Sequence, residues 1–405
     1  MNLKTCLVTG QYPPQVGGVG HSAHRVANLL ASRGLQVHVV ALQKHVAPLP
    51  FDESYTSTQE GKVLVHRVKV YHPAPGAEAA ASDAAPSEAE ILTRYNREMF
   101  QALEHFHLRY GYDVLHAFFL YPAGFIAGLV GRMHGAQVIA SIRGNDVGKY
   151  AFDPLRLPFV RLSLENADYV TSVATSLTEL ADRAMVPIGH KAKTILNSVD
   201  LARLRPQNKP DLPLKGKVIG SAGLFRYKKG LVYLFKALAQ LQEQHDFTIL
   251  LAGDFFKEED REPHMQWLRE YGLMDRTIVT GKIAPQRMAD YLQLFDVLVF
   301  PSLFSEGCPL SMLEAMALKK VIIGSRAGAI PEVIRDHENG LLVRAGSSED
   351  IARALGEVLS EAALFARLGN GAAQTAAEMT PEREFREWMA VYETVGARPH
   401  VHRER

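Results

Sequence analysis

The chain has 405 residues, 47% of them apolar, which supports well-filled cores and, by length, two or three domains. A formal net charge of +1 leaves no bulk electrostatic footprint for nucleic acid or an anionic bilayer, and no stretch approaches the ~20 apolar residues of a membrane span. With only Cys6 and Cys308, neither a disulfide framework nor a cysteine-rich metal site is implied; the start of the chain shows no signal-peptide architecture, and a soluble cytoplasmic protein is expected.

The first strand is expected in "KTCLVTG", followed by the loop "QYPPQVGGVG" and a helical run. Here Gly18-Val-Gly20-His-Ser-Ala23 matches in form the dinucleotide fingerprint G-x-G-x-x-A. Its context argues otherwise. The fingerprint belongs directly at a strand end, whereas two prolines and several other residues intervene after Thr9. The acid expected about 20 residues on, to hold a ribose, is also missing from the second strand, "QVHVVAL" with "QKH". Gly17, Gly18 and Gly20 instead leave backbone bare before a helix N-terminus, which suits close approach by an anionic or sugar ligand.

Further strands are expected in "VLVHRVKV", "DVLHAFF", "QVIASIRG" and "YVTSVAT", with helical patterns between most of them. The Ala-, Pro- and acid-rich stretch at residues 72–90 reads most simply as a surface insertion, with a lid over an acceptor as the alternative. After residue 195 a polar, proline-bearing segment reads as a linker, and the alternation then restarts in "KVIGSAGLF", "DFTILLAG", "RTIVTG", "DVLVFPS", "KVIIGS" and "NGLLV". Two doubly wound α/β halves are the economical architecture, with ligands at the carboxyl ends of the strands in a cleft between them. The run "PEREFREWMAVYETV" closes the chain as a packed helix.

The chemistry concentrates in "VFPSLFSEGCPLSMLEAMALKKVIIGS". A strand ends at Pro301-Ser302, a loop carries Glu306, and a helix is expected to begin at Pro309, whose missing N–H costs nothing at a first helical position. The free N–H groups of Leu310 and Ser311 then face outward where the helix dipole favours a phosphate. Glu306 and Glu314 flank that position. At ~1.5 Å per helical residue they are separated by up to about 12 Å, wider than the ~5–9.5 Å of a glycosidase pair. A nucleotide sugar has the matching layout, with Glu306 at the sugar hydroxyls and Glu314 at the ribose. In "SAGLFRYKKG" the cations Arg226, Lys228 and Lys229 follow a strand and stand ready for a diphosphate. Cys308 reads as a packing residue.

In "PPQVGGVG", "DVLHAF", "SIRGND", "LNSVD", "GLFRYKKG", "EGCPLSMLE", "GAIPEVI" and "NGLLV", taken in order, the chain resembles the retaining GT-B glycosyltransferases of family 4 (glycosyl transferases group 1) over nearly its whole length. The resemblance implies two Rossmann-like domains facing across a cleft: an acceptor domain at 1–200, a donor domain at 201–380, and a helix at 381–398 crossing back to the first. It implies catalytic roles for Glu306, Arg226 and Lys229. The donor, a nucleoside-diphosphate sugar, would meet Gly17, Gly18, Gly223, Arg226, Lys229, Glu306, Pro309, Leu310, Ser311 and Glu314. The acceptor hydroxyl compound or glycan would meet His116, Arg143, Asn145 and Asp146, where Asp146 either orients a hydroxyl or serves as a helix cap or turn residue. No metal and no cofactor are expected, in keeping with the lack of a convincing Asp-x-Asp pair. The chain departs from the family at Leu224, where an arginine is usual, with Arg226 as the variant, and at Phe118, where many members carry a second histidine. Peripheral membrane contact is common in the family, although no strongly basic amphipathic helix supports it here; the oligomeric state stays open. The competing readings are an NAD-dependent oxidoreductase and a nucleotide-sugar-binding protein without turnover.

Overall fold

The computed structural model describes residues 3–15, 18–72, 87–304 and 306–396. The chain divides into two compact units, Met1–Ile195 with Phe385–Arg405, and Leu196–Glu384. Every stretch read above as a strand carries one.

In the first unit the strands are β1 (Lys4–Thr9), β2 (Gln36–His45), β3 (Tyr55–Glu60), β4 (Val63–Tyr71), β5 (Val114–Phe118), β6 (Gln137–Ile142), β7 (Tyr169–Ser172) and β8 (Ala192–Thr194). They form one sheet in the order β3-β4-β2-β1-β5-β6-β7-β8, parallel throughout except for β3, which runs antiparallel to β4. The central strands are apolar on both faces because helices cover both; Cys6, Leu7 and Val8 of β1 are wholly buried. Neither β3 nor β8 was expected. β3 is a mostly exposed polar edge, and β8 has only three residues.

The second unit holds β9 (Lys217–Phe225), β10 (Phe247–Phe255), β11 (Thr277–Val279), β12 (Val297–Phe300), β13 (Val321–Ser325) and β14 (Leu341–Val343). Their order is β11-β10-β9-β12-β13-β14, all parallel, which is the doubly wound nucleotide-binding order. The direction of winding reverses between β1 and β5 in one sheet and between β9 and β12 in the other. Outside the carboxyl ends of such strands a doubly wound sheet opens its ligand crevice. No helix among the described residues is long and apolar enough to cross a membrane.

The last described helix, Pro381–Gly396, completes the core of the first unit. Trp388, Val391, Tyr392 and Val395 pack with Leu7, Val39, Phe118 and, from helix Gly18–Ser32, Val26 and Leu30. Beneath it runs a buried polar chain. Tyr392 Oη lies 2.8 Å from His116 Nδ1 and 3.3 Å from Thr5 Oγ1. His116 Nε2 lies 2.9 Å from Ser141 Oγ, which meets Thr171 Oγ1 at 2.6 Å. Burial, with the Arg143 charge behind it, pushes the His116 imidazole down to about 3, so it stays neutral and both ring nitrogens serve the chain. The expectation that His116 meets an acceptor is corrected by this burial: it is a core residue that anchors the final helix.

Trp388→Ala should therefore lower the stability of the first unit by about 3–5 kcal/mol, the usual cost of emptying a large aromatic site. Chemical denaturation with a first-unit probe checks this; a midpoint unchanged from the parent would show that the helix is not part of that core.

Candidate active site

The second unit gathers its functional side chains where β9 and β12 end. Past β9, Arg226 stays extended and Tyr227–Lys229 make one tight turn, closed by Gly230 at φ 68°. A Cβ on Gly230 would stand 2.1 Å from the Pro301 carbonyl oxygen, so only glycine lets this turn meet the loop leaving β12. There Leu303 N–H donates to the Lys228 carbonyl at 2.9 Å. The approach sets Lys229 Nζ 2.9 Å from Glu306 Oε1, while Ser302 Oγ donates to Oε2 at 3.0 Å. A third loop, after β13, fixes the same residue from behind. Ala329 N–H donates to the Glu306 carbonyl at 3.1 Å, and a Cβ on Gly328 (φ 55°) would stand 1.7 Å from that oxygen.

Glu306 is buried, and burial alone would raise its carboxyl. The Lys229 and Lys228 charges, with the bonds from Lys229 and Ser302, outweigh burial and hold it below the ordinary glutamate value. Glu314 is the opposite case. It is half-buried, no group among the described residues bonds its carboxylate, and burial lifts it from 4.5 to about 7.

Helix Leu310–Ala317 starts one residue later than expected, with Pro309 at the N-cap and not at the first helical position. A proline side chain has no acceptor to offer, so the N–H groups of Leu310 and Ser311 bond nothing among the described residues; the first bonded one is Met312, to the Pro309 carbonyl at 3.1 Å. Ser311 Oγ ties the helix to β9 by donating to the Ala222 carbonyl at 3.3 Å. Nearby, the Arg226 guanidinium lies 3.5 Å over the Phe256 ring. Gly223 near the end of β9 has φ 131° and open space where a Cβ would stand. Cys308 is buried, and its carbonyl accepts from Asn197 Nδ2 at 2.6 Å.

In the first unit, Gly17 lies outside the described residues, and so do residues 73–86 of the 72–90 segment. Gly18 opens helix Gly18–Ser32, exposed and with open space around it, nine positions past the end of β1. That spacing is not the dinucleotide fingerprint. Arg143, half-buried at the end of β6, bonds Ser22 Oγ in the first turns of this helix and lies 5.3 Å over the Phe118 ring. Asn145 begins the short turn Asn145–Gly148 and is half-buried.

Of the two readings of Asp146, the structure shows the turn. It is wholly buried, and its oxygens accept from the backbone N–H groups of Gly144 at 2.7 Å, Arg143 at 2.9 and 3.1 Å and Leu120 at 3.4 Å. Burial still lifts its carboxyl to about 6 against those bonds. It builds the turn that presents Arg143 and Asn145 and has no oxygen turned outward for an acceptor hydroxyl. Ser302 and Phe256 were not anticipated. Nothing in their local sequence marks them: Ser302 is a small polar residue four positions before Glu306 in the same loop, and Phe256 matters through Arg226 on another loop.

Residues 204–375 match the family described as Glycosyl transferases group 1, and residues 17–192 match the Glycosyl transferase 4-like domain. N-acetyl-alpha-D-glucosaminyl L-malate synthase of Bacillus anthracis is 26% identical over 392 residues, covering 94% of each chain. Among solved structures, sucrose-phosphate synthase from Thermosynechococcus elongatus aligns with a TM-score of 0.78 at 21% identity, over 98% of this chain and 100% of that one. Anabaena HepE in complex with UDP-glucose aligns with a TM-score of 0.71 at 17% identity, over 98% and 100%. The fold is the two-domain Rossmann-like GT-B fold, and the oxidoreductase reading falls away. The chain belongs to the glycosyl transferases group 1 family and is a glycosyltransferase.

Proposed function

We propose that this glycosyltransferase is a cytoplasmic, retaining enzyme. It moves a sugar from a nucleoside-diphosphate donor, a UDP- or GDP-sugar, to an acceptor hydroxyl in glycan, glycolipid or glycoside biosynthesis. One observation carries the reading: the Lys229–Glu306 pair, its carboxylate buried, stands at the switch point of the second sheet, in the same strand-end loops as an uncapped helix start. HepE, which shares the fold, was solved in complex with UDP-glucose, and this supports a uridine donor.

In this reading Arg226, Lys229 and the N–H groups of Leu310 and Ser311 hold the diphosphate, with Gly223 and Pro309 shaping the space around it. Glu314 accepts from the ribose hydroxyls. Glu306 accepts from the transferred sugar. Gly17 and Gly18 border the sugar and β-phosphate, and Arg143 and Asn145 meet the acceptor. The bond from the anomeric carbon to the β-phosphate oxygen breaks with its electron pair going to that oxygen. The acceptor oxygen bonds the carbon on the same face and passes its proton to the departing phosphate, which preserves the anomeric configuration. Lys229 and Ser302 occupy both Glu306 oxygens, which disfavours that carboxylate as a nucleophile. The chain's own cations and helix start neutralise the leaving diphosphate, so no metal or other cofactor is required.

A thermal-shift screen of UDP, GDP, ADP and their sugars should show selective stabilisation by one base. Lack of any shift would overturn the donor assignment, and transfer or donor hydrolysis would exclude a binding protein without turnover. Lys229→Ala and Glu306→Ala should each lower transfer by about 100-fold or more while the protein remains folded. Near-parental turnover in either would sink the assignment.

Glu314 gives a pH test. Its raised carboxyl means the folded protein holds that proton more tightly than the unfolded chain. The resulting stability is present below the ordinary glutamate range and is lost as pH rises through about 7. Relative to the parent, Glu314→Gln should therefore melt higher at about pH 8 and gain much less at about pH 5. Parental nucleotide affinity should climb as the carboxylate ionises, and the Gln variant should show a flat profile. Parallel profiles would contradict the ribose role.

A further inference from the structure

Arg226 and Lys229 are held in different ways. Lys229 is bonded to a carboxylate, Glu306. Arg226 has no ion pair and no side-chain hydrogen bond among the described residues, although it is half-buried and burial lowers its pKa against the pull of Asp260 and Glu306. What fixes it is a ring. Phe225 and Phe255 are register partners across β9 and β10, and Phe256 N–H donates to the Phe225 carbonyl at 3.0 Å. The next residues on the two strands are therefore brought alongside one another, and the Arg226 guanidinium carbon lies 3.5 Å from the Phe256 ring centroid.

A stacked guanidinium differs from a paired one in a way that matters for an anion. The ring attracts the flat face of the cation and makes no claim on its N–H groups, which point outward in the plane. A carboxylate in the same place would fix the side chain equally well, but it would consume those donors and cancel the charge. The ring also has no evident duty in the core. Phe256 is 46% exposed, at the carboxyl end of the strand beside β9.

We propose that Phe256 is a positioning residue for the donor diphosphate: its ring holds the Arg226 guanidinium in one orientation with its donors open to the phosphates. The proposal rests on the reading that Arg226 takes the diphosphate.

The test is a double-mutant cycle on binding, read by calorimetry with whichever of UDP, GDP or ADP most stabilises the parent. Phe256→Ala should weaken binding by about 3- to 30-fold, the span of a partly desolvated cation–π contact. In an Arg226→Ala background the same change should have almost no further effect. Phe256→Tyr, which keeps the π face, should bind as the parent does, whereas Phe256→Leu, which keeps bulk alone, should behave as the Ala variant. Melting temperatures accompany every variant, so that a loss of fold is not mistaken for a loss of positioning. The proposal is overturned if Phe256→Ala binds as the parent, if its loss persists in the Arg226→Ala background, or if Phe256→Leu binds as the parent. Arg226→Ala separates the two levels. If it binds as the parent, or if the parent binds no nucleotide, the donor reading of Arg226 has failed and this proposal with it. If Arg226→Ala loses binding while the Phe256 variants do not, only the role of the ring is lost.

Discussion

The site of the second unit depends on burying one carboxylate without leaving it uncompensated. A desolvated glutamate is unfavourable unless its oxygens are bonded and its charge is met. Glu306 satisfies both conditions through Lys229 and Ser302, and the arrangement exists because two other segments come closer than any side chain would permit. Gly230 lets the turn after β9 reach the Pro301 carbonyl, and Gly328 lets the loop after β13 grip the Glu306 backbone. Loops from three strands are thereby locked to a single residue. The position of Lys229 follows from that locking, and so does the course of the chain into the uncapped helix.

The two glutamates that flank the helix start show how environment divides one chemical type into two roles. Lysine charges hold the Glu306 carboxyl below the ordinary glutamate value in spite of burial, which favours its charged form. Glu314 meets no cation among the described residues, and burial leaves it near the middle of the physiological range. Two like groups pushed in opposite directions are a common mark of a functional site.

Much of the architecture was legible because parallel strands covered on both faces read as unbroken apolar runs, as in "VLVF" of β12. β3 escaped notice for the converse reason, since a polar edge strand of threonine, serine and glutamine looks like loop. In the site, Glu306, Lys229 and the helix start stand out because local order alone places them at strand ends. Phe256 and the two close-contact glycines do not, since each acts through a segment far away in the chain, and Ser302, whose partner is near, is one serine among many until its hydroxyl is seen on Glu306. His116 was misjudged, and Asp146 stayed open between a hydroxyl and a turn, because a polar residue beside a strand end looks the same in sequence whether it turns outward or into the core. Only the partners decide, and Tyr392 is separated from His116 by the whole second unit.

That last contact bears on how the chain is made. The first unit is interrupted: its core is finished by residues that follow the second unit. During synthesis from the N-terminus, the sheet of β1 to β8 is complete long before Trp388 and Tyr392 exist. Until they arrive, His116 and Thr5 lack their phenolic partner and an apolar face lies open to water. The second unit can close while it is still being translated. The first must wait for Trp388 and Tyr392, so of the two units the one whose synthesis begins earlier is the later to become native.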